Sequence, residues 1–240
     1  MNPLHKEILE QIQLHSGQPT QHTFLNSYLG NSHPRYPISM PTLRKLAKEW
    51  MKSYRELSAS NFSALLTSLI KGKSSTEKIM VGILLDYSTL EQRKFDPTWF
   101  NTWLNYLEGW AEVDSLCTGR YSDSEILSQW KAWKPQLIQF SKSKNIHKRR
   151  ASLVLLCSPL RQSDDARLAT IALQNIDRLK SEKEILITKA ISWVLRNMAK
   201  FHRSTLEDYL SKQGNSLPKI ALRETMIKLK TGKKTKSKKR

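Results

Sequence analysis

The chain has 240 residues, with 40 lysines and arginines against 21 aspartates and glutamates, a formal charge of +19 and a pI near 10.0. That balance points to a polyanionic partner, nucleic acid first and an anionic membrane surface second. Two cysteines, Cys117 and Cys157, with no CxxC or Cys/His cluster, fit a reducing compartment and argue against a structural zinc site. No apolar run approaches the roughly 20 residues that span a bilayer, and the amphipathic start MNPLHKEILEQIQLH is charged throughout, unlike a signal peptide.

Helix signals dominate from the N-terminus onward. Glycine is scarce, and strict apolar–polar alternation is rare. Apolar periods and start signals predict helices over 3–15, 20–29, 41–54, 60–71, 75–87 and 97–107. They continue over 110–121, 123–132, 135–143, 146–157, 164–179, 182–200, 204–212 and 217–229. Capping boxes of the S-x-x-E type are expected at Ser74/Glu77, Ser122/Glu125, Ser181/Glu184 and Ser204/Glu207. Pro41 and Asp96-Pro97 read as helix starts with proline in the first turn. Many short helices joined by brief loops predict a helical-pair solenoid with divergent units and a concave face suited to a duplex. The expected organisation is one domain, 1–229, and a basic disordered tail, 230–240. The last thirteen residues, KLKTGKKTKSKKR, hold eight of the positive charges and leave +11 on residues 1–227, so the globular part is itself basic.

Three segments carry candidate chemistry. In GWAEVD, Trp110 and Asp114 lie at i and i+4, which sets an aromatic plane beside a carboxylate on one helix face. Such a pair can stabilise a sugar cation and activate water, or it can be a packed indole with a solvated acid. Glu112 falls on the opposite side of that helix, so no catalytic role is expected for it. In NIHKRRASLVLLC, Arg150 sits inside the apolar stripe of Ile146, Leu153, Val154 and Cys157. A guanidinium there needs a carboxylate, a phosphate or a path to water. Arg149 is expected to point away as a solvated or phosphate-facing charge. In KAISWVLRNMAK, Lys189, Trp193, Arg196 and Lys200 share one face, opposite Ile187, Ile191, Val194, Leu195 and Met198. Cations neutralise phosphates and an aromatic plane receives a base or sugar. The alternative is a rim tryptophan covered by lysine stems.

Together these segments resemble the AlkD-like DNA glycosylases, DNA alkylation repair proteins of bacteria and archaea. The resemblance rests on Asn-x-x-x-x-Arg-Ala-Ser at 145–152, Trp-x-x-x-Asp at 110–114 and KAISWVLRNMAK at 189–200. PTLRKLAKEW at 41–50 resembles the family's early P-x-x-R-x-L-x-K helix. The family fold implies an all-α, right-handed solenoid of HEAT-like repeats with a concave DNA-binding face. Carried over by position, Asp114 matches the catalytic aspartate, Trp110 and Trp193 the aromatics flanking the lesion, and Arg150 the arginine on the nearby backbone. Tyr28 in SYLGN matches a further cleft aromatic. Lys148, Arg149, Lys189, Arg196 and Lys200 are expected phosphate contacts. The activity implied is hydrolytic release of N3- and N7-alkylated purines from duplex DNA, without flipping the base into a tight pocket and with tolerance of bulky adducts. No lysine is placed as a Schiff-base nucleophile, so no strand cleavage is expected. No cofactor, metal or membrane partner is implied, and a cytoplasmic, nucleoid-associated monomer is expected. The rival reading is a noncatalytic helical-repeat DNA- or RNA-binding protein, which leaves Asp114 in a cationic cleft without a purpose.

Overall fold

The structure is a computed structural model that describes residues 1–20 and 30–234. Residues 21–29 of the expected helix at 20–29, Tyr28 among them, lie outside the described residues. The chain divides into two compact units, 1–121 and 122–240. Among the described residues there is no strand; an isolated antiparallel bridge joins Thr20 to Arg35.

The first unit contains α1 (Pro3–Ser16), α2 (Met40–Ser53), α3 (Ala59–Ile70), α4 (Ser75–Tyr87), α5 (Trp99–Trp103) and α6 (Gly109–Cys117). Helices α2, α4 and α6 pack side by side, with α3 also against α4, and α1 on α2 and α3. Stacking next-but-one helices is what a chain of helical pairs does when each pair buries its apolar side on the next. Helix α4 is the centre of this layer, and every residue from Ser75 to Leu85 is buried. Its start is the predicted capping box: Ser74 accepts from the Glu77 amide, and the Glu77 carboxylate accepts from the Ser74 amide at 2.7 Å. Phe95, Phe100, Trp103 and Tyr121 form an aromatic cluster with ring centroids 5.2–5.4 Å apart.

The second unit follows within α7 (Arg120–Ser128) and holds α8 (Trp130–Ser141), α9 (Ile146–Val154), α10 (Cys157–Gln162) and α11 (Ala166–Leu179). It ends with α12 (Ile185–Met198), α13 (Arg203–Gln213) and α14 (Lys219–Thr231). Here α8, α9, α12 and α14 are neighbours in series, and α11 lies on α8. Helix α8 runs through Pro135, where a break was expected, because Trp133, Leu137 and Phe140 bury fully on either side of the proline. Helix α14 continues to Thr231, two residues past the expected end of the globular part.

The other three expected capping boxes do not form. Ser122 lies inside α7, and Glu125 accepts from Ser124, Ser128 and Gln129 instead. Glu184, not Ser181, is the residue before α12. Ser204 falls in the first turn of α13, and Glu207 pairs with Arg203 at 2.9 Å. A side-chain partner one turn away competes with the cap for Glu125 and Glu207. Pro41 does stand in the first turn of α2, behind Ser39 as the capping residue.

Candidate functional site

In the first unit the site is built on α6. Val113, Leu116 and Cys117 are buried and hold the helix against α4. The approach is very close: Gly82 of α4 faces the Ser115 carbonyl, leaving no room for a methyl group, and the Ser115 hydroxyl donates to the Ile79 carbonyl at 2.9 Å. Trp110 and Asp114 lie on the half-exposed side, one turn apart. Asp114 continues the helix backbone: its carbonyl accepts from the Thr118 amide at 3.0 Å and the Thr118 hydroxyl at 2.7 Å.

The start of α6 is fixed by a buried polar network. Glu112 is fully buried, on the opposite side from Trp110 and Asp114 as its helical phase requires. It accepts from the Glu108 amide at 2.8 Å and from Asn31 at 3.3 Å, and bonds to His33 Nδ1 at 2.9 Å. The Glu108 carboxylate accepts from both the amide and the hydroxyl of Ser32, at 2.9 and 2.8 Å. Residues 31–33 are therefore anchored to the first turn of α6. Nearby, the Lys78 ammonium is buried and donates to the Ile70 and Gly72 carbonyls at 2.8 and 2.6 Å. Burial pulls Lys78 below the usual lysine range, against the opposing pull of Glu112, Glu77 and Glu108. Burial acts to raise the Glu77 carboxyl, but hydrogen bonds from His5 and Ser74 outweigh it and hold Glu77 below its ordinary value.

In the second unit α12 carries the basic stripe. Ile187, Ile191, Val194, Leu195 and Met198 are all fully buried, while Trp193 is half-buried and Lys189 and Lys200 are exposed. Arg196 is more engaged than a solvated charge: it donates to the Ser192 carbonyl at 3.1 Å and lies 3.4 Å from Glu224 of α14. Lys200 sits over the Phe201 ring at 4.3 Å. The end of the stripe opens into a hollow of about 500 Å³ lined by Arg196 and Lys200 together with Arg161, Arg203 and Lys228. These three come from other helices, and no spacing within α12 could have indicated them.

Arg150 on α9 is buried, and its guanidinium donates to the Leu186 carbonyl in the first turn of α12. It thus ties α9 to the helix that carries Trp193. Of the two expectations for Arg149, a solvated or a phosphate-facing charge, the first does not hold. Arg149 lies 2.9 Å from Glu182 and donates to the Ser143 and Lys144 carbonyls at 2.9 and 2.8 Å. The turn before α9 folds back over the helix start and offers carbonyls that a stem of that length reaches. Lys148 is half-buried, and burial alone lowers its ammonium from the usual lysine range.

Among the described residues no helix is long and apolar enough to cross a membrane, and no group of three or more His, Cys, Asp or Glu side chains is arranged to hold a metal ion. No curated protein matches the chain. Among solved structures, a chain described as a predicted DNA alkylation repair enzyme from Enterococcus faecalis is similar. The TM-score is 0.70 at 17% identity, over 89% of this chain and 99% of that one, a likeness that establishes an all-α helical-repeat fold. The model of the family described as DNA alkylation repair enzyme matches residues 10–229, a span that runs through Trp110, Asp114, Arg150 and Trp193 alike, and the chain therefore belongs to this family of repair enzymes.

Proposed function

We propose that the protein is a monofunctional DNA glycosylase that releases N3- and N7-alkylated purines from duplex DNA by hydrolysing the N-glycosidic bond. The observation that carries this reading is the pairing of Trp110 with Asp114 on the half-exposed side of a helix whose other side is locked in place. A carboxylate repels DNA phosphates, so a helical-repeat protein that only bound DNA would gain nothing from one there.

An alkylated purine of this kind is cationic and already a good leaving group, so strong protonation of the base by an enzyme acid is less necessary. Positive charge moves onto the deoxyribose as the glycosidic bond lengthens. Asp114 opposes that charge and positions or deprotonates the attacking water. Trp110 and Trp193 offer electron-rich faces to the sugar and backbone. Lys148, Lys189, Arg196 and Lys200 meet phosphates. Arg149 and Arg150, engaged with carbonyls and Glu182, act first by setting the shape of the phosphate-facing surface. Alkylated duplex DNA is the partner, and a cytoplasmic, nucleoid-associated monomer is the form proposed.

The test is to incubate the protein with duplex DNA bearing N-methylated purines and to separate free base from cut strand. Free methylpurine without strand scission supports the reading. Tight binding with no base released favours a noncatalytic binder, the reading that the net charge of +19 alone would also satisfy.

A further inference from the structure

A second strongly cationic hollow lies in the first unit, apart from the residues considered above. It has a volume of about 440 Å³ and is lined by Lys48, Lys52, Arg55, Met51, Tyr87, Ser88, Thr89, Leu90 and Arg120. Four of these are basic and none is acidic. Lys48, Lys52 and Arg55 follow one another at i, i+4 and i+7 along the last turns of α2 and its exit, so they share a face. All three are exposed, and none forms an ion pair among the described residues. Arg120 reaches the same hollow from a different element, the start of α7.

A helix end often gathers lysines simply to offset its dipole. That explains Lys52 in the last turn of α2 but not the convergence of Arg120 on the same space. Asp86, the residue before Tyr87 of the wall, is already engaged. One of its oxygens accepts from Arg44 at 3.1 Å and the other from the Arg120 amide at 3.1 Å. Gly119, at φ +104°, makes the turn that brings this amide to Asp86, and a side chain there would strike the carboxylate. The same turn sets Arg120 only six residues after Asp114, so the hollow is held by the segment that leaves α6. Tyr87 and Thr89 add hydroxyls to the wall.

We infer that this hollow is a binding site for a backbone phosphate of duplex DNA, held by Lys52, Arg55 and Arg120 and separate from the surface that meets the lesion. This rests on the reading of the protein as a DNA-binding repair enzyme. A phosphate oxyanion suits the site because it accepts from several cations at once and needs no base-specific partner. Its role is to fix the register of the duplex along the first unit.

The test measures binding of the full chain to undamaged duplex DNA by fluorescence anisotropy across a salt series. Each phosphate contact contributes about 0.9 to the magnitude of the slope of log K against log salt. The double variant Lys52→Ala/Arg55→Ala is expected to lower that magnitude by about 0.9, or about twice that if two phosphates are held. A charge-keeping pair, Lys52→Arg/Arg55→Lys, should preserve the wild-type slope. A charge-matched control, Lys94→Ala/Lys212→Ala, removes two exposed lysines that pair with Glu91 and Asp208, and should also leave the slope unchanged. A wild-type slope in Lys52→Ala/Arg55→Ala overturns the site. An equal fall in the control overturns it too, since net charge then explains the effect. If the wild-type protein shows no salt-dependent binding to duplex DNA, the DNA-binding reading fails and takes the site with it.

Discussion

Gly82 of α4 and Ser115 of α6 meet backbone to backbone, with the Ser115 carbonyl occupying the space where a side chain at Gly82 would begin. Asp114 is the residue before that carbonyl, so the fit of two core helices sets the position of the candidate catalytic carboxylate. Replacing Gly82 by Ala must push α6 away from α4. Overpacking of this kind costs about 1–3 kcal/mol. Gly82→Ala is therefore expected to lower the melting temperature and also to reduce base release by the protein that remains folded, because displacements near 1 Å at a reacting group cost about 100-fold in rate. A variant with wild-type release would uncouple the helix contact from the site.

Trp193→Ala should impair the reaction more than the fold. The residue is half-buried, while the apolar side of its helix is fully buried without it. A core Trp→Ala typically costs about 3–5 kcal/mol, and a groove-lining one much less. Loss of an aromatic face from contact with a nucleotide is worth roughly 1–3 kcal/mol. Denaturant unfolding and single-turnover release separate the two effects; a loss of several kcal/mol in unfolding would make Trp193 a core residue.

Arg150→Ala removes a charged donor to the Leu186 carbonyl from a buried position. Hydrogen bonds from charged groups contribute about 1.5–3 kcal/mol, so stability should fall by that order, with a reduced rate because α12 loses its tie to α9. Arg149→Ala breaks a partly exposed pair with Glu182 and two hydrogen bonds to the Ser143 and Lys144 carbonyls near the surface, where water can replace the lost donor, and should cost less than Arg150→Ala. Urea unfolding of both variants checks the ranking, and equal losses would contradict the difference in burial.

The capping box of α4 should respond to acid. The folded Glu77 carboxyl lies below its ordinary value of 4.5. The unfolded chain therefore binds the proton more readily, and the stabilisation is fully present above pH 4.5 and lost as pH falls through the lower folded value. Glu77→Gln should be less stable than wild type at neutral pH, with the gap narrowing in acid. A gap that stays constant from neutral pH to about pH 2, beyond the usual carboxylate range, would show that Glu77 folds without a lowered affinity for protons.

Much of this was legible in the residues, and the failures share a cause. The amphipathic period of residues 187–200 placed Ile187, Ile191, Val194 and Leu195 inside and left Trp193 toward the surface, because a single helix fixes both faces. The Ser74/Glu77 box was readable because both its partners are three residues apart. The engagement of Arg149 was not legible because its partners include Glu182, which no local pattern links to it. The network around Glu112 was invisible for the same reason: Asn31 and His33 lie 81 and 79 residues away in sequence. Helical phase could place Glu112 away from Asp114 but could not say that it anchors the start of α6. The cationic hollow at Lys52 and Arg120 likewise needs the turn at Gly119 to exist.

The most direct measurement compares the wild-type protein with Asp114→Asn on duplex DNA carrying a methylated purine, scoring released base under single-turnover conditions alongside binding affinity. Asparagine keeps the shape of the side chain and removes the negative charge needed as the sugar becomes cationic. The account predicts that base release is nearly abolished while binding is unchanged or slightly tighter, since a charge that repels phosphate is gone. Release by Asp114→Asn within a factor of about two of wild type, a difference of only about 0.4 kcal/mol in transition-state stabilisation, would contradict the assignment of Asp114 and with it the proposed chemistry.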